Sequence, residues 1–599
     1  MRRKLEGPQE HQIRLDGTVT PHSHQMDLEA SKYRQEIEAL TVELAQTEAS
    51  QRALSTTKEV PFVWDIAFVE IFESEKEGFD IVMGNPPYVR QEAIADPHLP
   101  RDKVTVENKR VYKDKLARSV YQAFPGFFGY KASSNTVAHK LNAKSDLYIY
   151  FYLHGLSLLN AKGSFCFITS NSWLDVGYGA DLQEFLLKHC HVKLVLDNQV
   201  RRTFANADVN SIIVLFSAPD DSATGGLDKT ARFVMFRVPF EHILSPVIFD
   251  EVEEATERKA TKEYRVFPIQ QGKLLEDGCE VPDEAEEIGK STGPLIEVTR
   301  YIGNKWGGKY LRAPDIYWTI LEKGKGKLVR LGDIAEVRFG IKTGANEFFY
   351  LDDDRIREWE IEEEFFKPVI KSPRECKRIL VDPKTLKYNI FMCHKDKREL
   401  KGTTLEYIEW GESEGFHKRP SCAGRARWWD LGVRRLPPII SPSSVSELPR
   451  TFANQGVFID KRLYEIYPKN KVEPVLLATN AITCSLFLEL GSRTGLGEGL
   501  LDLTVYELAD CFVVVPPESD ELRAVLKDAR QRDFLPLRQE IQNSNRQELD
   551  GIVFDALNLT QGERDAIYEA VINLVEARLK KAGSLNPPER KRRIEAAQE

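Results

Sequence analysis

No two of the eight cysteines, scattered from Cys166 to Cys511, are spaced as CxxC in this 599-residue sequence. That excludes a cysteine zinc site and a disulfide framework, and it points to reduced thiols in a cytoplasmic protein. No run of about 18 apolar residues occurs, so no membrane-spanning helix is expected. The opening MRRKLEGPQEHQ has basic residues with no apolar stretch behind them, which is not a secretory signal. A phosphate-binding P-loop is also missing: GKST at 289–292 has Glu284 where the upstream glycine belongs. Nor is there an excess of positive charge, since 83 Lys and Arg face 92 Asp and Glu for a net charge of −9. The length exceeds what one core usually holds, so two to four domains are expected.

The charge is segregated along the chain. Residues 101–118 carry seven basic and three acidic side chains, and residues 418–435 carry six basic and one acidic with Trp428 and Trp429 between them. Acid collects at 250–257 and 352–364. Phosphate contact depends on the local sign of a face rather than on the total, so a DNA-facing groove is compatible with the negative balance. A solvated face is the plainer account of any one such run.

Residues 1–30 are polar and irregular and are expected to be disordered. Tyr33, Ile37, Leu40 and Leu44 form one apolar stripe and predict a helix over 31–54. Further on, Phe79–Met83 predicts a strand ending at Gly84. Ser145 and Asp146 precede LYIYFYLHGLSLL, a helix apolar nearly all round, with Asp146 as its cap. SFCFIT predicts a strand, Asp181–Cys190 a helix, and His191–Asp197 and Val209–Phe216 two more strands. This alternation is α/β and implies a mostly parallel sheet closed by an antiparallel edge. The expected organisation is a tail over 1–30, a catalytic region over 31–220, a linker with peripheral structure over 221–327, a β-rich α+β domain over 328–520 and a helical segment over 521–599. In the last, Thr560 and Glu563 form a capping box and Gly583 is a stop.

The chemistry concentrates at Asn85-Pro86-Pro87-Tyr88, directly after the strand. Parallel sheets bind ligands past the carboxyl ends of their strands. Two prolines make a stiff turn and leave the Pro86 carbonyl free to accept a hydrogen bond outside the ladder. Asn85 adds a side-chain carbonyl, and Tyr88 an aromatic face. Two aimed acceptors and a ring suit a planar group with an exocyclic amine, such as adenine. Holding both N–H groups would orient the nitrogen toward an electrophile. A duplex base would have to be flipped out to arrive there.

NPPY after a strand resembles the catalytic motif of amino-group methyltransferases. Its neighbours resemble those of the adenine-specific DNA methyltransferases of restriction–modification systems, including single-chain type IIG enzymes. The matching pieces, in order, are FVWDIAFVEIF (62–72), GFDIVMGNPPYV, SDLYIYF, SFCFITSNSWL and RRTFANADVNSIIVLF; VRFGIKTGANEFFYL (337–351) and GLLDLTVYELADCFVVVPP (499–517) open and close a target-recognition domain. The resemblance implies the C-terminal part of a Rossmann-like methyltransferase sheet, then an α+β recognition domain and a C-terminal helix. It implies catalysis by Asn85, Pro86, Pro87 and Tyr88, stacking of the target base on Tyr88 and Phe204, and S-adenosylmethionine as methyl donor. Its partner is double-stranded DNA, with Lys109, Arg110, Lys342, Thr343, Asn346, Arg425 and Arg427 as candidate contacts. Methylation needs no metal, and magnesium would serve only a nuclease supplied from elsewhere.

One expected part is not found. A glycine-rich cofactor loop should lie on the order of 100 residues before NPPY, and the 84 residues before Asn85 contain none. The expectation is a truncated or split enzyme whose cofactor-binding half, or a nuclease, is carried by another chain. The alternatives are a non-catalytic DNA-binding partner or relic, and a methyltransferase for protein glutamine or RNA. The remaining look-alikes read as structure: NPPE (586–589) as a tail, FPGFFGY (124–130) and GLGEGL (495–500) as loops, the tryptophan pair as packing, and Cys393-His394 as lacking further ligand spacing.

Overall fold

The computed structural model describes residues 41, 62–200, 209–220, 226–243, 245–280, 300–494 and 499–583. The helix expected over 31–54, Phe204, GKST, NPPE and most of GLGEGL fall largely or wholly outside them. The chain divides into two units, Met1–Gly78 and Phe79–Glu599. In the first, Trp64–Ala67 and Val69–Phe72 are single helical turns, with the rings of Trp64 and Phe68 stacked at 5.6 Å.

The second unit opens with a seven-stranded mixed sheet in the order β1-β2-β4-β3-β5-β7-β6. Its strands are β1 (Phe79–Gly84), β2 (Leu159–Ser170), β3 (Val192–Asn198), β4 (Ser211–Ser217), β5 (Thr230–Phe236), β6 (Lys259–Ala260) and β7 (Tyr264–Gln270). β1, β2, β3 and β5 run one way; β4 and β7 run against their neighbours. Two expectations are corrected here. The antiparallel β4 lies inside the sheet, between β2 and β3, because Val209–Phe216 pairs with both. Residues 230–270, expected as part of a linker with peripheral structure, instead add three strands to this sheet. Their apolar residues Val234, Phe236, Tyr264 and Val266 pack beneath the helix Pro246–Glu253, and the intervening charged residues had masked that pattern.

Three longer helices lie between β1 and β3 in the chain: α1 (Val106–Ala123), α2 (Leu147–Ser157) and α3 (Ala180–His189). α2 buries seven of its residues, packed between β2 and α1. Its Gly155 permits that approach, since a Cβ there would stand 2.8 Å from the Phe165 ring. Among the described residues the sheet face away from α2 is bare at β1, where Ile81 and Met83 are 64% and 75% exposed and β1 is the edge strand.

No break separates the later regions. One apolar core runs from Ala313 to Val575, across both expected boundaries at 327 and 520. At its centre lie two buried helices, α4 (Val472–Asn480) and α5 (Ile482–Gly491), which the β-rich reading of 328–520 overlooked. The expected strand at 336–340 is present as Ala335–Phe339, in a four-stranded sheet with Leu463–Pro468, Ile439–Pro442 and Phe452–Ala453. RILVD (378–382) forms only a single bridge at Leu380. The final helix α6 (Gln561–Gly583) starts at the expected box, with Thr560 N–H donating to Glu563 Oε2 at 2.7 Å. No single described helix is long and apolar enough to cross a membrane.

Candidate functional site at the end of β1

The carboxyl ends of β1, β2, β3 and β5 and the start of β4 share one rim, where Asn85, Asn171, Asn198 and Asn210 follow, end or precede their strands. Asn85 is exposed and Pro86 buried. Among the described residues neither the Asn85 side chain nor the Pro86 carbonyl has a hydrogen-bond partner. The turn thus leaves two acceptors open. Tyr88 is half-buried, its hydroxyl donates to the Ile168 carbonyl at 3.3 Å, and burial pushes its pKa up to about 12.

The segment behind the motif is held by α1 and by the start of α2, both of which follow it in sequence. Leu147 N–H donates to the Val89 carbonyl at 3.0 Å, and Gln91 N–H to Asp146 Oδ1 at 2.8 Å. Lys109 Nζ donates to the Glu92 carbonyl at 2.7 Å, and Lys113 Nζ to Gln91 Oε1 at 3.2 Å and the Ala143 carbonyl at 2.6 Å. Lys109, a candidate DNA contact by sequence, is therefore engaged with the segment that follows the Asn85–Tyr88 turn. Asp146 differs from expectation too. It stands at the N-cap of α2 without making a side-chain cap bond; its second oxygen accepts from the Tyr178 hydroxyl at 2.9 Å, which in turn lies 2.7 Å from that of Tyr148. It clamps the turn instead of capping the helix.

Burial raises the Asp146 pKa above its ordinary 3.8, against the lowering effect of the Gln91 and Tyr178 hydrogen bonds. Its favourable contribution to stability is then complete below the unfolded pKa and is lost as pH rises through the folded one. Two results are expected from urea unfolding. Asp146→Ala, which strands Gln91 N–H and the Tyr178 hydroxyl, costs about 1–3 kcal/mol. Asp146→Asn costs less, and its deficit against wild type shrinks as pH rises from 3 to 6. A deficit that grew with pH would refute this account of the clamp.

A cavity of about 80 Å³ lies beside Tyr88, lined also by Arg90, Asp146, Tyr148, Asn171 and Asn210. It shares Asn171 and Asn210 with a larger one of about 580 Å³ between the seven-stranded sheet and α6. The larger has a mixed lining, with Arg237, Arg265, Lys580 and Lys581 facing Asp197, Glu489, Glu569 and Glu576 among apolar side chains. Asn210 spans both regions of the chain, its Nδ2 donating to the Thr494 carbonyl at 3.0 Å. Asn171 and Asn210 lie in two of the stretches that carry the resemblance, but nothing in the sequence singled out either of them, or Arg90, as a site residue.

The other candidates lie elsewhere and differ in availability. Arg110 is exposed and paired with Glu107. Thr343 is buried and donates to Asn346 Oδ1 at 2.5 Å, while Lys342 is exposed. Arg425 is engaged internally, by the carbonyls of Lys342, Thr343 and Trp428. Arg427 pairs with Asp430, which also accepts from His394. Trp428 and Trp429 are buried in an aromatic core, as expected. FPGFFGY is one helical turn closed by a left-handed Gly129, likewise a loop. Among the described residues no cluster of metal-ligating side chains occurs.

Two family models match the sequence. One, the Eco57I restriction-modification methylase, covers residues 18–204; the other, the C-terminal domain of the Type II methyltransferase M.Eco57I, covers residues 303–548. Type II methyltransferase M.AccI of Acinetobacter calcoaceticus is 25% identical over 308 residues, which is 50% of this chain and 48% of the relative. M.BstVI of Geobacillus stearothermophilus is 21% identical over 303 residues, 49% and 40% of the two chains. The chain thus spans about half the length of these relatives, or less. Among solved structures, the type IIL restriction-modification enzyme MmeI in complex with DNA is 12% identical, covering 85% of this chain and 55% of that one at a TM-score of 0.41. The chain thus carries, in this order, a segment that matches the Eco57I restriction-modification methylase and a segment that matches the C-terminal domain of the Type II methyltransferase M.Eco57I.

Proposed function

We infer that the chain provides the amine-holding part of a DNA adenine-N6 methyltransferase in a restriction–modification system. One observation carries this: the Asn85 side chain and the Pro86 carbonyl are both open acceptors beside the Tyr88 ring. An exocyclic amine presents two N–H groups, and two fixed acceptors hold both, so the ring plane and the nitrogen are oriented together. Tyr88 gives the base a face to stack on. A base in a duplex reaches such a turn only when flipped out.

S-adenosylmethionine is the donor the family implies, and the described residues do not fit it as a site. No glycine-rich strand-to-helix turn is present among those preceding β1, and among the described residues β1 is the last strand of the sheet, with Ile81 and Met83 exposed. Parallel strands are normally covered on both faces and an open edge is a pairing template. A segment that adds a strand to β1 and covers these side chains would complete the sheet, from a longer chain or from a second one. Calorimetry on this chain alone is expected to show no S-adenosylmethionine binding tighter than about 0.1 mM. Binding near 1 µM would overturn this part of the reading.

The poor fit of the described residues to S-adenosylmethionine favours a second reading, a DNA-binding partner with no activity of its own. Methylation assays with and without the products of neighbouring genes separate the two. Adenine methylation in any combination supports the first; retained DNA binding with no methylation in all of them supports the second.

A further inference from the structure

The basic run 418–435 is sorted by its side-chain partners. Arg419 pairs with Glu347, Arg427 with Asp430, and Arg425 lies among carbonyls. Arg434 and Arg435 are different. They converge with Arg338, from the edge strand Ala335–Phe339, on Glu465 and Tyr467. Arg434 Nη1 is 3.6 Å from the Glu465 carboxylate, the Arg435 guanidinium lies 4.0 Å from the Tyr467 ring centroid, and that of Arg338 lies 5.7 Å from the same ring. Arg338 also pairs with Glu336. Three cations therefore share two carboxylates, one of them the buried Glu465, which leaves a net positive face.

Next to these cations the chain presents an apolar tip. Val433 is 89% exposed and Leu436 lies partly open. The tip is braced at both ends. Gly432 takes a left-handed φ of 75° and its N–H donates to Asp430 Oδ1 at 2.8 Å; the Tyr467 hydroxyl donates to the Arg435 carbonyl at 2.6 Å. A valine held out of the protein by a braced turn, directly before two arginines, is matched to a surface that is anionic outside and apolar within a groove.

We propose that Gly432–Leu436 is a contact element for duplex DNA, in which Arg434 and Arg435 meet phosphates on either side of a groove and Val433 enters it. This rests on the DNA-methylating reading of the chain. Phosphate contacts by guanidiniums set the salt dependence of binding, whereas an apolar group in a groove adds affinity that salt does not screen.

The test is binding of the full chain to a mixed-sequence duplex across a salt series, with thermal melting of each variant as a folding check. The double variant Arg434→Ala/Arg435→Ala is expected to lower the slope of log K against log salt by about 2, with binding at least 10-fold weaker near 0.1 M salt. Val433→Ala is expected to weaken binding about 3-fold or more with the slope unchanged. A wild-type chain that binds with a steep slope, and a folded double variant that keeps it, would overturn the element alone. A wild-type chain with no salt-dependent binding would overturn the broader reading as well.

Discussion

Asn85→Ala is expected to lower methyl transfer by about 10²–10³-fold while leaving folding and DNA affinity unchanged. The magnitude is that of removing one preorganised hydrogen-bond group from a reacting centre. The selectivity comes from the environment of Asn85. Its side chain is exposed and has no partner among the described residues, so its removal breaks no internal contact and shifts stability by about 0.5 kcal/mol at most. Asn85→Asp still presents an acceptor oxygen at this position and is expected to retain more activity than the alanine variant. The check is single-turnover methylation in the cofactor-competent assembly, beside equilibrium DNA binding. Loss of DNA binding in step with activity would mean that Asn85 serves the fold or the duplex rather than the amine.

The largest effect on stability is expected at the ion pair of Arg578 and Glu489, side chains only 4% and 2% exposed, whose atoms approach to 2.6 Å between α6 and α5. Arg578 also donates to the Ser446 carbonyl at 3.1 Å and to that of Gly499. Glu489→Gln or Arg578→Met leaves a buried charge without its counter-ion and is expected to cost about 3–5 kcal/mol in denaturant unfolding. Replacing both with methionine removes the uncompensated charge and is expected to recover most of that loss, since the pair itself repays little more than its desolvation. Full additivity of the two single losses would contradict this account of why the pair is needed.

Much of the seven-stranded sheet was legible because its strands are short apolar runs set off by glycine or polar residues. β1, β3 and β4 lie within two residues of where the sequence puts them, and α2 and α3 follow their apolar patterns. β5 and β7 were missed because charged residues flank them and because their partners are non-local: β5 pairs with β3 and with β7. α4 and α5 were missed for a different reason. A segment apolar on all sides has no period to distinguish a buried helix from a strand. At the site, the chemistry of Asn85, Pro86 and Tyr88 could be read from residue type, since proline geometry and acceptor inventory are local properties. Which charged residues hold the segment that follows the turn could not. Lys109 and Asp146 take that role through contacts with residues 17 and 55 positions away, and only the tertiary arrangement separates them from surface charges.

The central claim is that the open acceptors at Asn85 and Pro86 hold an adenine amine for methylation. The most direct measurement is base-resolved modification mapping of DNA from cells expressing this chain with its genomic neighbours, in parallel with the Asn85→Ala version. The expected result is N6-methyladenine at one recurring sequence, lost in the variant although the protein accumulates normally. An adenine pattern unchanged by the substitution, or methylation confined to cytosine, would contradict it.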